Sequence, residues 1–360
     1  MNEVVGMRTA WISPPMPVSG ETRMEINYAV NRVRLLERIG VDLLLFDDRA
    51  GNFIPGDWAG DDPRSEPAIP GVDPAVLAPI IGRGTDTIGI GLALAPTSYP
   101  PFMAARLLST LDHYVDGRAA WNVVIADAPA TGAQPSDAAP DMAAVAIDYV
   151  GACRALWGSW DPDALVLDVE SGVFADPSHV RDANYVGPFF KTRGPLNTTP
   201  SRQRDALPVT HVARSDAGLR FAAACADVVV LTGTNADEVA GASRRLKSEL
   251  ENRERRRDEL VVLVAVSPQV SASAAGAADR PVSQAAWSVA MDGSFVDIAA
   301  SMRDLIGAAE ADGVAVVGQL DGEFISDFGR VLRELRGPAR PVRSGETLRA
   351  RLHTAGPTHA

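Results

Sequence analysis

Few residues of this chain have the type and spacing to do chemistry. The doublet Asp47-Asp48 follows the apolar run Leu43-Leu44-Leu45-Phe46. Neighbouring strand positions face opposite sides, so one carboxylate points inward and a cooperating acid pair is not implied. Asp48 therefore reads either as a hydrogen-bond acceptor in a site or as a loop cap. The run Arg214-Ser215-Asp216-Ala217-Gly218 opens a helix, with Ser215 as the natural N-cap and the following N–H groups available to an anion. With the Arg214 charge beside it, this is the best phosphate site in the chain, although a plain helix cap would carry the same residues. His211 shares a strand face with Ala213 and reads as structural or catalytic, since a single histidine specifies neither. His211 and Asp127 are the acid–base candidates; Thr97, Asn122, Ser13, Thr232 and Ser267 complete a set rich in hydrogen-bonding groups. There is no nucleophile elbow, P-loop, GxGxxG or HxxxH pair, and Cys153 and Cys225 stand alone, so neither a metal site nor a disulfide framework is expected. Such a lining suits gripping a cofactor that brings its own reactivity.

The elements that must position these residues alternate. Strands are expected at 8–12, 42–46, 87–94, 119–125, 208–213, 227–232, 260–267 and 314–318. Helices are expected between and after them, at 26–39, 74–83, 101–114, 141–156, 216–225, 235–256, 296–311 and 324–335. Eight strands each followed by a helix define an α/β fold of the (β/α)8 TIM barrel type, whose active sites form at the C-terminal strand ends. All the candidates above fall at such ends. Residues 1–360 read as one barrel domain with two rim excursions, at about 158–199 and 268–292. The first is expected to carry a hairpin with Val173 and Phe174 on one arm and 189–192 on the other; the second, mostly Ala and Ser, reads as mobile. The pairs Lys247/Glu251, Glu249/Arg253 and Glu251/Arg255 read as a solvated helix face.

The 360 residues carry 34 Lys and Arg against 46 Asp and Glu, a net charge of −12, which disfavours nucleic acid and anionic membranes as partners. No apolar run approaches the ~20 residues of a spanning helix, and the N-terminus lacks a basic, apolar leader, so a cytoplasmic location is expected.

The run from Ser109 to Val124, STLDHYVDGRAAWNVV, resembles the signature of the nitrilotriacetate monooxygenase branch of the bacterial luciferase-like flavin monooxygenases. Further matching pieces follow in family order: Leu35-Leu36-Glu37-Arg38, Leu156-Trp157-Gly158-Ser159-Trp160, Gly194-Pro195-Leu196-Asn197, Ser215-Asp216-Ala217-Gly218 and the tail from Thr347 to Leu352. The resemblance implies a luciferase-like barrel that takes FMN as FMNH2 from a separate NAD(P)H:flavin reductase and uses molecular oxygen to oxidise a small organic substrate. It also implies a homodimer or a pairing with a second luciferase-like subunit. By position, Asp48 and Thr97 would approach the flavin ring, Asn122 would hydrogen-bond it, and Ser215, with Arg214 as an added cation, would hold the FMN phosphate.

The chain departs from the pattern in places. Ala213-Arg214-Ser215 stands where relatives carry Gly-Ser-Ser, Asp47 replaces an alanine, Met142 or Ala143 takes the place of a tyrosine, and the insertion after the seventh strand is short. These departures leave open a non-catalytic luciferase-like subunit with lost or altered flavin binding. A deazaflavin-dependent oxidoreductase is a further alternative.

Overall fold

Eight short runs of Val, Ile, Leu and Ala, buried on both faces, form the wall of a closed parallel barrel. The structure is a computed structural model that describes residues 7–13, 26–46, 72–96, 98–125, 141–203, 207–270, 287–336 and 345–353. In chain order the first elements are β1 (Arg8–Ser13), α1 (Ile26–Ile39), β2 (Leu43–Phe46), α2 (Pro74–Arg83), β3 (Gly89–Leu94), α3 (Pro101–Tyr114), β4 (Ala119–Val123) and α4 (Met142–Trp157). An excursion then carries β5 (Leu165–Asp168), β6 (Val173–Ala175), β7 (Tyr185–Val186) and β8 (Lys191–Thr192). The barrel resumes with β9 (Val209–Ala213), α5 (Asp216–Cys225), β10 (Val228–Leu231), α6 (Ala236–Glu251) and β11 (Val261–Val270). It ends with β12 (Val289–Gly293), α7 (Phe295–Ala308), β13 (Gly313–Val317), α8 (Gly322–Arg336) and α9 (Leu348–His353).

The wall runs β10-β9-β4-β3-β2-β1-β13-β11, and β10 pairs with β11 to close it. Alternation along each strand divides the core in two. Inward positions such as Ala10, Ile12, Leu43, Leu45, Ala120, Val228, Val230 and Ala315 fill the barrel, and Leu348 and Leu352 of α9 join them at the N-terminal end. Outward positions pack under the helices, where Trp121 meets Tyr149 and Trp157 edge-on and Trp11 meets Phe324 and Phe328.

α2, α4, α5, α6 and α7 start where the sequence supplies a cap. Asp73, Asp141, Ser215, Asn235 and Ser294 accept from first-turn amides, and Ser294 with Asp297 forms a capping box.

Every expected barrel strand and helix is present, with four corrections at the margins. The excursion makes two antiparallel hairpins rather than one: Val173 and Ala175 pair with Asp168 and Leu165, while Tyr185 and Val186 pair with Thr192 and Lys191. Asp148 of α4 fastens the second, accepting from the Tyr185 hydroxyl at 2.6 Å and from the Phe189 and Phe190 amides at 2.8 Å. The expected mobile stretch is structured at both ends, because 268–270 extend β11 and β12 pairs alongside them, Val266 opposite Val289 and Val270 opposite Gly293. α6 stops at Glu251 rather than near 256, and Arg255 turns inward to donate to the α5 carbonyls of Ala222 and Ala223 and to the Ala226 carbonyl. Its interior role explains why the periodicity of a solvated face misread it. The fourth correction is α9, a short helix absent from the expected set.

Glu37 of α1 ties the α2–β3 connection. Its Oε1 accepts from the amides of Asp86, Thr87 and Ile88 and from the Thr87 hydroxyl. Burial alone would raise its pKa, but these donors outweigh it and hold the carboxyl below its ordinary value. A carboxylate depressed in the folded state stabilises above its unfolded pKa, and that contribution is lost as pH falls through the folded pKa. Glu37→Gln is therefore expected to cost about 1 kcal/mol at pH 7, after allowing for solvent screening of a half-buried group. Denaturant melts should show that gap to wild type narrowing as pH drops below ~4.3.

Candidate active site

The C-terminal ends of the strands gather Ser13, Asn122, Arg214, Ser215, Thr232 and Ser267 on one rim. Asp47, Asp48, Thr97 and Asp127 lie outside the described residues.

Asn122 shares the inward face of β4 with Ala120 and is 2% exposed. Its amide Nδ2 donates to the Phe46 carbonyl at 3.2 Å, while the Thr210 hydroxyl donates to its Oδ1 at 3.5 Å. One side chain thus reaches from β4 to β2 on one side and to β9 on the other. An amide can do this because it carries both donors and an acceptor.

His211 faces the other way. Val209, His211 and Ala213 occupy the helix-facing side of β9, and the imidazole packs edge-on against Phe221 of α5, ring centroids 5.1 Å apart. Its Nδ1 lies 2.8 Å from the Val123 carbonyl. A Cβ at Gly218 would stand 2.7 Å from His211 Nε2 and 3.2 Å from the Ala213 Cα, which is why the first turn of α5 carries a glycine there. His211 supports the start of α5 from beneath rather than lining the mouth.

That start is the anion-binding candidate. Ser215 Oγ accepts from the Gly218 amide at 3.3 Å and the Ser215 carbonyl accepts from Leu219 at 3.0 Å, so the cap is formed as the sequence implies. The remaining first-turn amides of such a helix have no intrahelical acceptor and carry the positive end of its dipole. Arg214, exposed beside the cap, lays its guanidinium 4.3 Å from the centre of the Trp287 ring. The two residues border a cleft of about 540 Å³ with Thr232, Thr234, Glu238 and Arg245 among its walls. Arg245 also holds Asp216 at 2.9 Å, which offsets the one acid in the first turn of α5. Thr232 donates to the Ala213 carbonyl at 2.7 Å and the buried Ser267 and Ser288 hydroxyls meet at 2.6 Å, so these polar groups brace the rim.

Trp287 is the residue that sequence reasoning missed. The available signal was the alternation of Val289 and Met291 after it, which marks a strand but sits at the end of an Ala- and Ser-rich run.

A closed parallel barrel whose C-terminal rim carries the capped start of α5 defines a TIM-barrel protein, a fold whose sites form at that rim. The family described as Luciferase-like monooxygenase matches residues 5–328, and the chain belongs to that family. It is 32% identical over 265 residues to the dibenzothiophene-sulfone monooxygenase of Rhodococcus erythropolis, an alignment covering 70% of this chain and 57% of that protein. It is 28% identical over 215 residues to component A of the nitrilotriacetate monooxygenase of Aminobacter aminovorans, covering 57% and 47%. The chain thus spans about half the length of the curated relatives it matches. Among solved structures, a long-chain alkane monooxygenase superposes with a TM-score of 0.80 at 23% identity, over 98% of this chain and 96% of that one. The EDTA monooxygenase of Chelativorans sp. BNC1 gives 0.73 at 18%, over 96% and 98%. These structures share the fold. Among the described residues, no helix is long and apolar enough to cross a membrane.

Proposed function

We propose that the protein is a flavin-dependent monooxygenase that takes FMN as FMNH2 from a separate flavin reductase and uses molecular oxygen to oxidise a small organic substrate. The observation that carries this reading is the start of α5: a capped helix N-terminus and an adjacent guanidinium at the rim of a barrel from this family. The donor set fits the phosphate of FMN, since backbone amides and a planar cation are the two chemistries that bind a phosphate best. Names such as dibenzothiophene-sulfone monooxygenase and nitrilotriacetate monooxygenase component A among the relatives support the same class of reaction.

In this reading Ser215 holds the helix start in shape, and Arg214 supplies charge to the phosphate. Asn122 presents its amide to the flavin ring from β4, and Asp48 and Thr97 approach the ring from the ends of β2 and β3. The bound flavin supplies the oxygen chemistry, and the protein orients it and excludes water. His211 acts through the α5 start, and Asp127 remains the candidate for moving a proton. A second copy, or a paired luciferase-like subunit, completes the assembly.

The test is anaerobic titration of the purified protein with reduced FMN, followed calorimetrically. Saturable binding is expected, weakened about tenfold by the double substitution Arg214→Ala and Ser215→Ala, the loss of one charge-assisted contact and a cap. A folded protein that does not bind reduced FMN overturns the reading and moves the assignment to a non-catalytic barrel subunit.

A further inference from the structure

We infer that Trp287 is a positioning residue for the cofactor phosphate, acting by holding the Arg214 guanidinium in place beside the start of α5. This rests on the assignment of that helix start to the FMN phosphate.

The argument begins with what fixes the tryptophan. Its carbonyl accepts from the Gly233 amide at 3.0 Å, just past the end of β10. The next residue, Ser288, is buried and meets the buried Ser267 hydroxyl at 2.6 Å, and from Val289 the chain is in register with β11. Trp287 is therefore anchored through its own backbone, through its neighbour's side chain and through the strand it precedes. The half-buried indole is a fixed surface at the rim.

Arg214 lies against that surface. It is an exposed side chain on the β9–α5 connection, in a cleft that also contains the carboxylates Asp237 and Glu238, and the indole adds a contact that favours its placement beside α5. The guanidinium carbon lies 4.3 Å from the indole centroid, a cation–π contact that holds the positive charge beside the start of α5.

The test compares FMN with riboflavin, which lacks the phosphate, by direct binding to wild type, Trp287→Leu, Trp287→Phe, Arg214→Ala and the Arg214→Ala/Trp287→Leu pair. Trp287→Leu is expected to weaken FMN about fivefold and to leave riboflavin unchanged, the size of an exposed cation–π contact. Trp287→Phe, which keeps an aromatic face, should stay within about twofold of wild type. In the Arg214→Ala background, Trp287→Leu should have no further effect, because its action runs through the guanidinium. Equal losses for FMN and riboflavin, or an undiminished loss in the Arg214→Ala background, would overturn the inference while leaving the phosphate site standing. If wild type does not prefer FMN to riboflavin and Arg214→Ala has no effect, the phosphate assignment itself fails and the inference falls with it.

Discussion

Replacing Asp112 by alanine is expected to remove about 2–4 kcal/mol of stability, the cost of taking the shared acceptor away from a buried cluster of donors. Asp112 lies in the last turn of α3 with no exposure to solvent, and both of its oxygens are in use. Oδ1 accepts from the Ala119 amide at 3.2 Å and from Gln203 Nε2 at 2.8 Å; Oδ2 accepts from Ser201 Oγ at 2.6 Å and from the Gln203 amide at 3.2 Å. Alanine would strip the Ala119 amide and the Ser201 hydroxyl of this acceptor, while the Gln203 amide keeps Ser201 Oγ at 3.1 Å and Gln203 Nε2 keeps the Ala119 carbonyl at 2.7 Å. Asp112→Asn should recover little, because the new NH2 group must replace one oxygen and face an N–H donor. Urea denaturation of the three proteins measures this directly, and a loss below about 1 kcal/mol for the alanine variant would show that the network is dispensable.

Gly313→Ala is expected to be comparably damaging, by about 3 kcal/mol or more, for a steric reason. Gly313 begins β13 and pairs with Arg8 of β1 on one side and Leu263 of β11 on the other, where the first and last barrel strands meet. A Cβ there would lie 1.8 Å from the Arg8 carbonyl oxygen and within 2.9 Å of its backbone nitrogen. These are backbone atoms within a ladder, so nothing can rotate aside. The matched control is Gly307→Ala in α7, exposed and with nothing within 4 Å of the added methyl, which should stabilise by about 0.5–1 kcal/mol. Thermal melts of the pair should move in opposite directions. Equal, small shifts would mean that the β1–β13 seam can adjust.

The signature run that suggested the family turns out to be largely architectural. Arg118, buried, donates to the carbonyls of Gly82, Thr85 and Ile88. Trp121 fills the outer core, and Asp112 secures the return of the chain to the barrel after the excursion. The Leu-Trp-Gly-Ser-Trp and Gly-Pro-Leu-Asn pieces meet each other: the Leu196 amide donates to Ser159 Oγ at 3.0 Å, and Trp160 Nε1 donates to the Leu196 carbonyl at 2.8 Å. These long-range contacts depend on residue type at fixed separations, which is why short runs were enough to indicate the fold.

The same logic sets the limit. Strand and helix alternation was legible because burial on both faces and capping leave local traces in Val- and Leu-rich runs and in Ser215, Asn235 and Ser294. The direction of His211 was not, since a residue's parity on a strand identifies its companions but not which side they take. Only the apolar partners of Val209 and Ala213 beneath α5 settle that. The Arg214–Trp287 contact joins residues more than seventy positions apart and has no local trace at all.

The placement of α9 has a consequence for biosynthesis. Leu348 and Leu352 complete the inner core from its N-terminal end, and Arg349 ties them to Gln203 and Asp227. Among the described elements this is the last to leave the ribosome, so all eight wall strands are synthesised before the floor they close upon. A nascent chain in that interval exposes Leu43 and Val228 to water through an open base, and attachment of a chaperone or loss to a protease has its longest opportunity there.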